Sequence, residues 1–347
     1  MTANNNVVSF IVLLLLFQFS VSSQAEAVSN SIKAPLASKS LLLDAVSKDD
    51  KIIVVGERGH ILLSEDGKNW QQANVPTQST LTAVYFHNKY LGWAVGHDAI
   101  ILRTVDGGKN WDRVYYSPDD EAPLLDVWFK DEDRGIAIGA YGLYLVTEDG
   151  GKTWTREDFT VTNSKTLDIQ ESDIDDMDAD NFVESYDLHL NSITQSKSGK
   201  LYIAAEAGRI YRSDDNGHSW LQLASPYAGS FFGIQSITEN NLLVFGLRGN
   251  MYRSENDGES WTQIKTNTTE MLTNSLRLQD GTILVVGLGG MLIISKDDGY
   301  SFSTVELGTR SGYAAIIRSS NGKLLAIGEN GTTPIDHVGK LDLDISN

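Results

Sequence analysis

The chain has 347 residues, a formal net charge of −18, six prolines and no cysteine. The acidic balance argues against nucleic acid as a partner, because phosphate binding needs a Lys/Arg footprint. The missing cysteines remove disulfide staples and thiolate metal sites, so the fold must rest on core packing, for which this length is ample.

Residues 1–27 differ from the rest. Ser9 to Phe19 is almost unbroken apolar sequence, followed by the small polar run Ser20–Gln24 and by Ala25-Glu26-Ala27. This is the h-region and A-x-A site of a secretory signal peptide, although Met1–Val8 carries no Lys or Arg. An uncleaved anchor is the other reading. Cleavage leaves residues 28–347 with a charge of −17, no span of transmembrane length, and a periplasmic or secreted location.

The next feature along the chain is a repeat. Ser64–Trp70 (S-E-D-G-K-N-W), Thr104–Trp111, Thr147–Trp154 (T-E-D-G-G-K-T-W), Ser213–Trp220, Ser254–Trp261 and Ser295–Phe302 are six versions of the Asp-box pattern. The carboxylate or amide at Asp66, Asp106, Asp149, Asp215, Asn256 and Asp297 can accept backbone N–H groups a few residues on, and glycine supplies the positive φ of the turn. The closing aromatics Trp70, Trp111, Trp154, Trp220, Trp261 and Phe302 are then anchors between neighbouring sheets. Their spacings are 41, 43, 66, 41 and 41 residues. Between boxes, short alternating apolar runs are separated by Gly and Asp, as in Leu124–Phe129, Gly135–Gly139 and Gly142–Val146. Each unit is a four-stranded antiparallel meander, and 40–45-residue units of this kind are propeller blades. A seventh unit, without a box, begins at Tyr313–Arg318. The expected fold is all-β: a seven-bladed β-propeller, its ring closed by an outer strand from Ser29–Ala37 that protects the last sheet edge.

Antiparallel order puts the turns between second and third strands, and the connections between blades, on one face, here the top. The repeat framework is uniform, but these turns are chemically diverse, which makes them the candidate binding site. The residues singled out are Glu57, Arg58, His97, Asp98, Tyr141, Glu206, Arg248, Arg310 and Glu329. The long fourth interval holds an insertion, Thr160–Leu188, expected on the same face. It carries nine carboxylates, from Asp168 to Asp187, against Lys165 alone. Such a run reads as a solvated loop. Calcium is the sharper alternative, but the Gly that an EF-hand spacing requires is absent.

Other chemistry is thinly supported. Sialidases share the Asp-box propeller, and Arg58, Arg248, Arg310, Tyr141, Glu206 and Asp98 offer residue types for a glycoside hydrolase with paired carboxylates. The sialidase Arg-Ile-Pro motif is absent, however. A carbohydrate-binding propeller would use exposed aromatics, for which Tyr141, Tyr115 and Tyr116 are the candidates. The six histidines show no ligand spacing, and no phosphate loop or nucleophile elbow is present. No catalytic residue, metal or cofactor is expected.

The combined unit, carried best by Leu81–Trp111 and Leu124–Trp154, resembles the photosystem II assembly and stability factor family, which has relatives in non-photosynthetic bacteria. The resemblance implies a non-enzymatic scaffold that binds a membrane or envelope protein through one propeller face. This chain departs from the family's basic patch: Glu57, Asp98, Glu206 and Glu329 dilute its top-face arginines. A monomer engaging a protein partner is the expectation.

Overall fold

A computed structural model describes residues 29–163 and 188–335. They form seven sheets, antiparallel except for one added strand in the fourth, each wound outward from an inner strand. The inner strands are Leu42–Lys48, Leu81–Phe86, Leu124–Phe129, Leu190–Gln195, Phe231–Ser236, Leu272–Arg277 and Tyr313–Arg318, for blades 1 to 7. The second strand of each blade is an almost continuous apolar run, and in Leu201–Ala205 and Leu242–Gly246 it is buried along its whole length. Both faces of that strand meet a neighbouring blade, so alternation gives way to uniform hydrophobicity.

The core is divided into wedges. Seven clusters of buried side chains each join two adjacent blades, and the last joins blade 7 to blade 1 through Ala315, Ile317, Leu325 and Ile327 packed with Leu42, Ile52, Val54 and Leu62. Every box aromatic sits in the wedge between its own blade and the preceding one. Trp220 is wholly buried there and Trp111 and Trp154 nearly so, whereas Trp70 and Trp261 are only half-buried. Blade 7 has Ile335 in its wedge with blade 6.

The box turns follow one hydrogen-bond scheme. In the third, Thr147 Oγ1 donates to Asp149 Oδ1 and accepts from the Gly151 N–H, while Asp149 Oδ1 accepts from the N–H groups of Lys152 and Thr153. Asn256 serves in the fifth, its Oδ1 accepting from the Ser260 N–H at 3.0 Å. The carboxylate is thus consumed by the turn.

One expectation about an edge is corrected. Ser29–Ala37 does not supply an outer strand: among the described residues the blade 7 sheet has three strands, ending at Gly331–Pro334. Instead the segment crosses blade 1. Gln72 Oε1 accepts from the Ala34 N–H, Gln72 Nε2 donates to the Ile32 carbonyl, and the Ser31 N–H reaches the Val75 carbonyl at 2.9 Å. Lys33 Nζ also donates to the Gln72 and Ala73 carbonyls. Further on, Ser38 lies so close to Gly331 that any Cβ there would collide with the Ser38 carbonyl oxygen. Threonine and tyrosine carbonyls of the blade-to-blade connections occupy the same place against Gly59, Gly208, Gly249 and Gly290. The segment thus takes the place of a blade-to-blade connection, held across blade 1 by Gln72.

The insertion is described only at its two ends. Its described beginning, Val161–Asn163, is a fifth strand on the outer edge of blade 4, parallel to Trp220–Gln222. It returns at Leu188, whose carbonyl accepts the Gly142 N–H beside the central channel. The acidic run itself, the calcium reading and the leader lie outside the described residues. No helix among those described is long and apolar enough to cross a membrane.

Candidate functional site

Each turn between second and third strands is pinned in one way. Its first N–H donates to the carbonyl of the residue just before that blade's inner strand: Glu57 to Leu41, His97 to Thr80, Ala140 to Pro123, Glu206 to His189, Leu247 to Ser230, Leu288 to Met271 and Glu329 to Gly312. The middle residue of the turn is left-handed in most blades, including Arg58 (φ 55°), Asp98 (φ 60°), Tyr141 (φ 54°) and Arg248 (φ 57°). Non-glycine residues held in this region store strain, a pattern that concentrates at binding sites.

The sequence-selected residues separate into groups. Arg58, Arg248 and Arg310 are exposed, and their guanidinium groups make no hydrogen bond or ion pair among the described residues. Arg248 stands on the turn of blade 5, Arg310 on the connection that passes Gly290 of blade 6, and Arg58 on the turn of blade 1. Asp98 is tied down by the Ser79 hydroxyl at 2.5 Å, and His97 is exposed beside it. Glu206 and Glu329 play a common part: each carboxylate accepts the N–H just ahead of its inner strand, from His189 at 3.3 Å and Gly312 at 2.9 Å. Glu57 holds the corresponding place in blade 1. Tyr141 packs edge-on against the His189 ring, 5.1 Å away, and His189 Nδ1 lies 4.0 Å from Glu206. This trio at the mouth of blades 3 and 4 includes a histidine that sequence reasoning passed over. Of the three candidate tyrosines, only Tyr141 is well exposed (56%). Tyr115 and Tyr116 pack against the wedges beside blade 2, with Arg113 stacked 4.4 Å from the Tyr116 ring.

Below the mouth is a cavity of about 710 Å³, walled by the inner strands. Every inner strand carries a bulge between its first and third residues, placing Asp44, Ala83, Asp126, Ser192, Gly233, Asn274 and Ala315 at one level. Three of these reach the next blade's backbone. Asp44 Oδ2 accepts from the Val84 N–H at 2.8 Å, Asp126 Oδ2 from the Ile193 N–H at 2.9 Å, and Asn274 Oδ1 from the Ile316 N–H at 3.3 Å. Burial pushes the Asp44 carboxyl up to about 7 against the pull of the Val84 N–H, and the charge of Asp126 adds to the rise. Burial likewise raises Asp126 to about 6, opposed by the N–H groups of Ile193 and Val127. Neither was singled out from sequence, although the same L-L-D triplet opens the inner strands of blades 1 and 3. Among the described residues no group of three or more His, Cys, Asp or Glu could hold a metal.

The profile of the family described as "Photosynthesis system II assembly factor YCF48" matches residues 21–120 and 117–286. No curated protein matches. Among solved structures, one titled "YCF48 bound to D1 peptide" is 17% identical, with a TM-score of 0.65 over 88% of this chain and 94% of that one. YCF48 from Cyanidioschyzon merolae is also 17% identical, with a TM-score of 0.64 over 88% and 97%. A streptogramin B lyase, 14% identical, reaches 0.66 over 89% and 98%. At such identities these structures share the fold and nothing finer.

Proposed function

Since the chain belongs to the photosynthesis system II assembly factor YCF48 family, we propose that it is a non-enzymatic scaffold that holds a membrane or envelope protein during assembly. We place it, cleaved of its leader, in the periplasm or outside the cell. The observation that carries the reading is the top face. Turns and connections anchored alike in every blade present different side chains, with Arg58, Arg248 and Arg310 exposed and without ionic partners among the described residues. A pre-ordered surface with unspent donors is suited to a polypeptide partner, because little ordering entropy remains to be lost on binding. That a relative's structure is titled with a bound D1 peptide supports the same class of partner.

A glycoside hydrolase is the second reading, favoured by the raised pair Asp44 and Asp126 in the channel. Their bonding speaks against it. Asn274 makes the equivalent inter-blade bond with an amide, which cannot exchange protons as a general acid must. The shared task of the set is to latch blades together.

Affinity capture from native envelope extract tests the proposal, comparing wild type with Arg58→Ala/Arg248→Ala. One membrane or envelope protein should co-purify with wild type and be depleted at least tenfold with the variant. Equal recovery by both would remove the top face from the reading. Turnover of any glycoside in a substrate panel, abolished by Asp44→Asn, would replace it by the enzyme.

A further inference from the structure

The channel has a chemistry that the top-face arginines do not share. Its mouth carries exposed apolar side chains: Leu41 and Leu288 are more than a third exposed, and Met271 lines the same cavity. Asp44 lies three residues into the channel from Leu41 along the inner strand, roughly 10 Å at the rise of an extended chain. Asp126 lies at the same level of blade 3 and lines the same cavity, and its charge adds to the rise of the Asp44 carboxyl. Among the described lining residues there is no Lys or Arg, and His189 is the one basic group. Neither aspartate has an ion pair among the described residues. Each oxygen pair retains lone pairs beyond those taken by the backbone N–H groups, since a carboxylate offers about four acceptor sites.

A carboxylate taken out of bulk water without a counter-charge is costly, and two facing each other more so. The matching occupant is a long cationic side chain, whose methylene stem lies along an apolar wall while its head reaches the charge.

We propose that the channel is a socket for one Lys or Arg side chain, carried on an apolar stretch of the partner polypeptide and entering from the top face to pair with Asp44 and Asp126. This rests on the scaffold reading and adds to it the chemistry of the partner's docking segment. Protons occupy the carboxyls whose burial raises their pKa, so entry of the cation releases them. Binding therefore tightens as pH rises from 5 to 8. His189 is the one basic group among the described residues that line the channel. Glu206, beside it, and Glu329, across the mouth, act in the favourable sense.

The probes are two synthetic peptides, acetyl-Ala-Leu-Arg-Leu-Ala-amide and its Gln counterpart, titrated calorimetrically at pH 5 and pH 8. The expected result is at least a tenfold preference for the Arg peptide at pH 8, proton release on binding, and at least tenfold weaker affinity at pH 5. The preference should vanish in Asp44→Asn/Asp126→Asn, whose amides keep the acceptor for Val84 and Ile193. A second variant, Ala83→Lys, supplies a cation from the intervening blade and should abolish binding. Equal affinity for the two peptides, no binding to wild type, or a preference that survives both variants overturns the socket. Partner capture keeps the two proposals apart. Capture undiminished in Asp44→Asn/Asp126→Asn leaves the scaffold and removes the socket, whereas Arg-peptide binding without any captured protein does the reverse.

Discussion

Trp220 and Trp70 occupy equivalent box positions, yet the first is wholly buried between blades 3 and 4 and the second half-buried between blades 7 and 1. Truncating a fully packed indole costs about 3–5 kcal/mol, so Trp220→Ala should lose that amount in urea denaturation and Trp70→Ala clearly less. Equal losses would contradict the wedge assignment. The aspartates of the molecule act on stability in opposite senses. Turn hydrogen bonds outweigh burial and hold Asp149 down to about 2, so its contribution is full above pH 4 and is lost as pH falls toward 2. Asp44 and Asp126 have folded values raised to about 7 and about 6. Over the window from pH 4 to 7 the native state holds protons that the unfolded chain has released, and stability falls as pH rises. Asp44→Asn/Asp126→Asn should therefore gain on wild type across that window, by about 1–2 kcal/mol per group at one to one and a half pK units retained. Melting temperatures from pH 4 to 8 measure it, and parallel curves for the two proteins would rule it out.

At the scale of elements, the added strand Val161–Asn163 is the testable novelty. It covers the backbone of Trp220–Gln222 in blade 4, whereas blades 1, 2, 3, 5 and 6 end in their own fourth strand. Proline lacks the N–H that a ladder requires. Thr162→Pro should raise amide exchange at Trp220–Gln222 at least tenfold while leaving exchange in the Phe231–Ser236 strand unchanged. Uniform acceleration would mean that the strand supports the entire blade. Blade number and the strand order were legible in the sequence because each box repeats a local turn, and a local turn carries its own residues. The parallel strand was not, since its partner lies 59 residues away and its V-T-N triplet has no pattern of its own. The path of Ser29–Ala37 was missed for a similar reason: Gln72 recruits it across 38 to 41 residues. Asp44 and Asp126 became visible only once the bulge had turned them into the channel, while the top-face turns were read correctly as turns because Gly and strand order locate them.

Across the whole molecule, seven wedges share the stability, and each blade has a stake in two of them. Six seams are also crossed by the chain as it passes from one blade to the next. The seventh, between blades 7 and 1, is held by packing and by the segment that Gln72 ties over blade 1. Gln72→Ala should expose residues 30–36 to proteolysis after Lys33 at native temperature, with wild type resistant; equal cutting rates would show that the ties do not hold the segment. The ring is thus a bracelet with one clasp. Tension on it parts that joint before any other, and a foreign domain grafted there disturbs one closure, whereas a graft within any other seam must also interrupt the thread on which the links are strung.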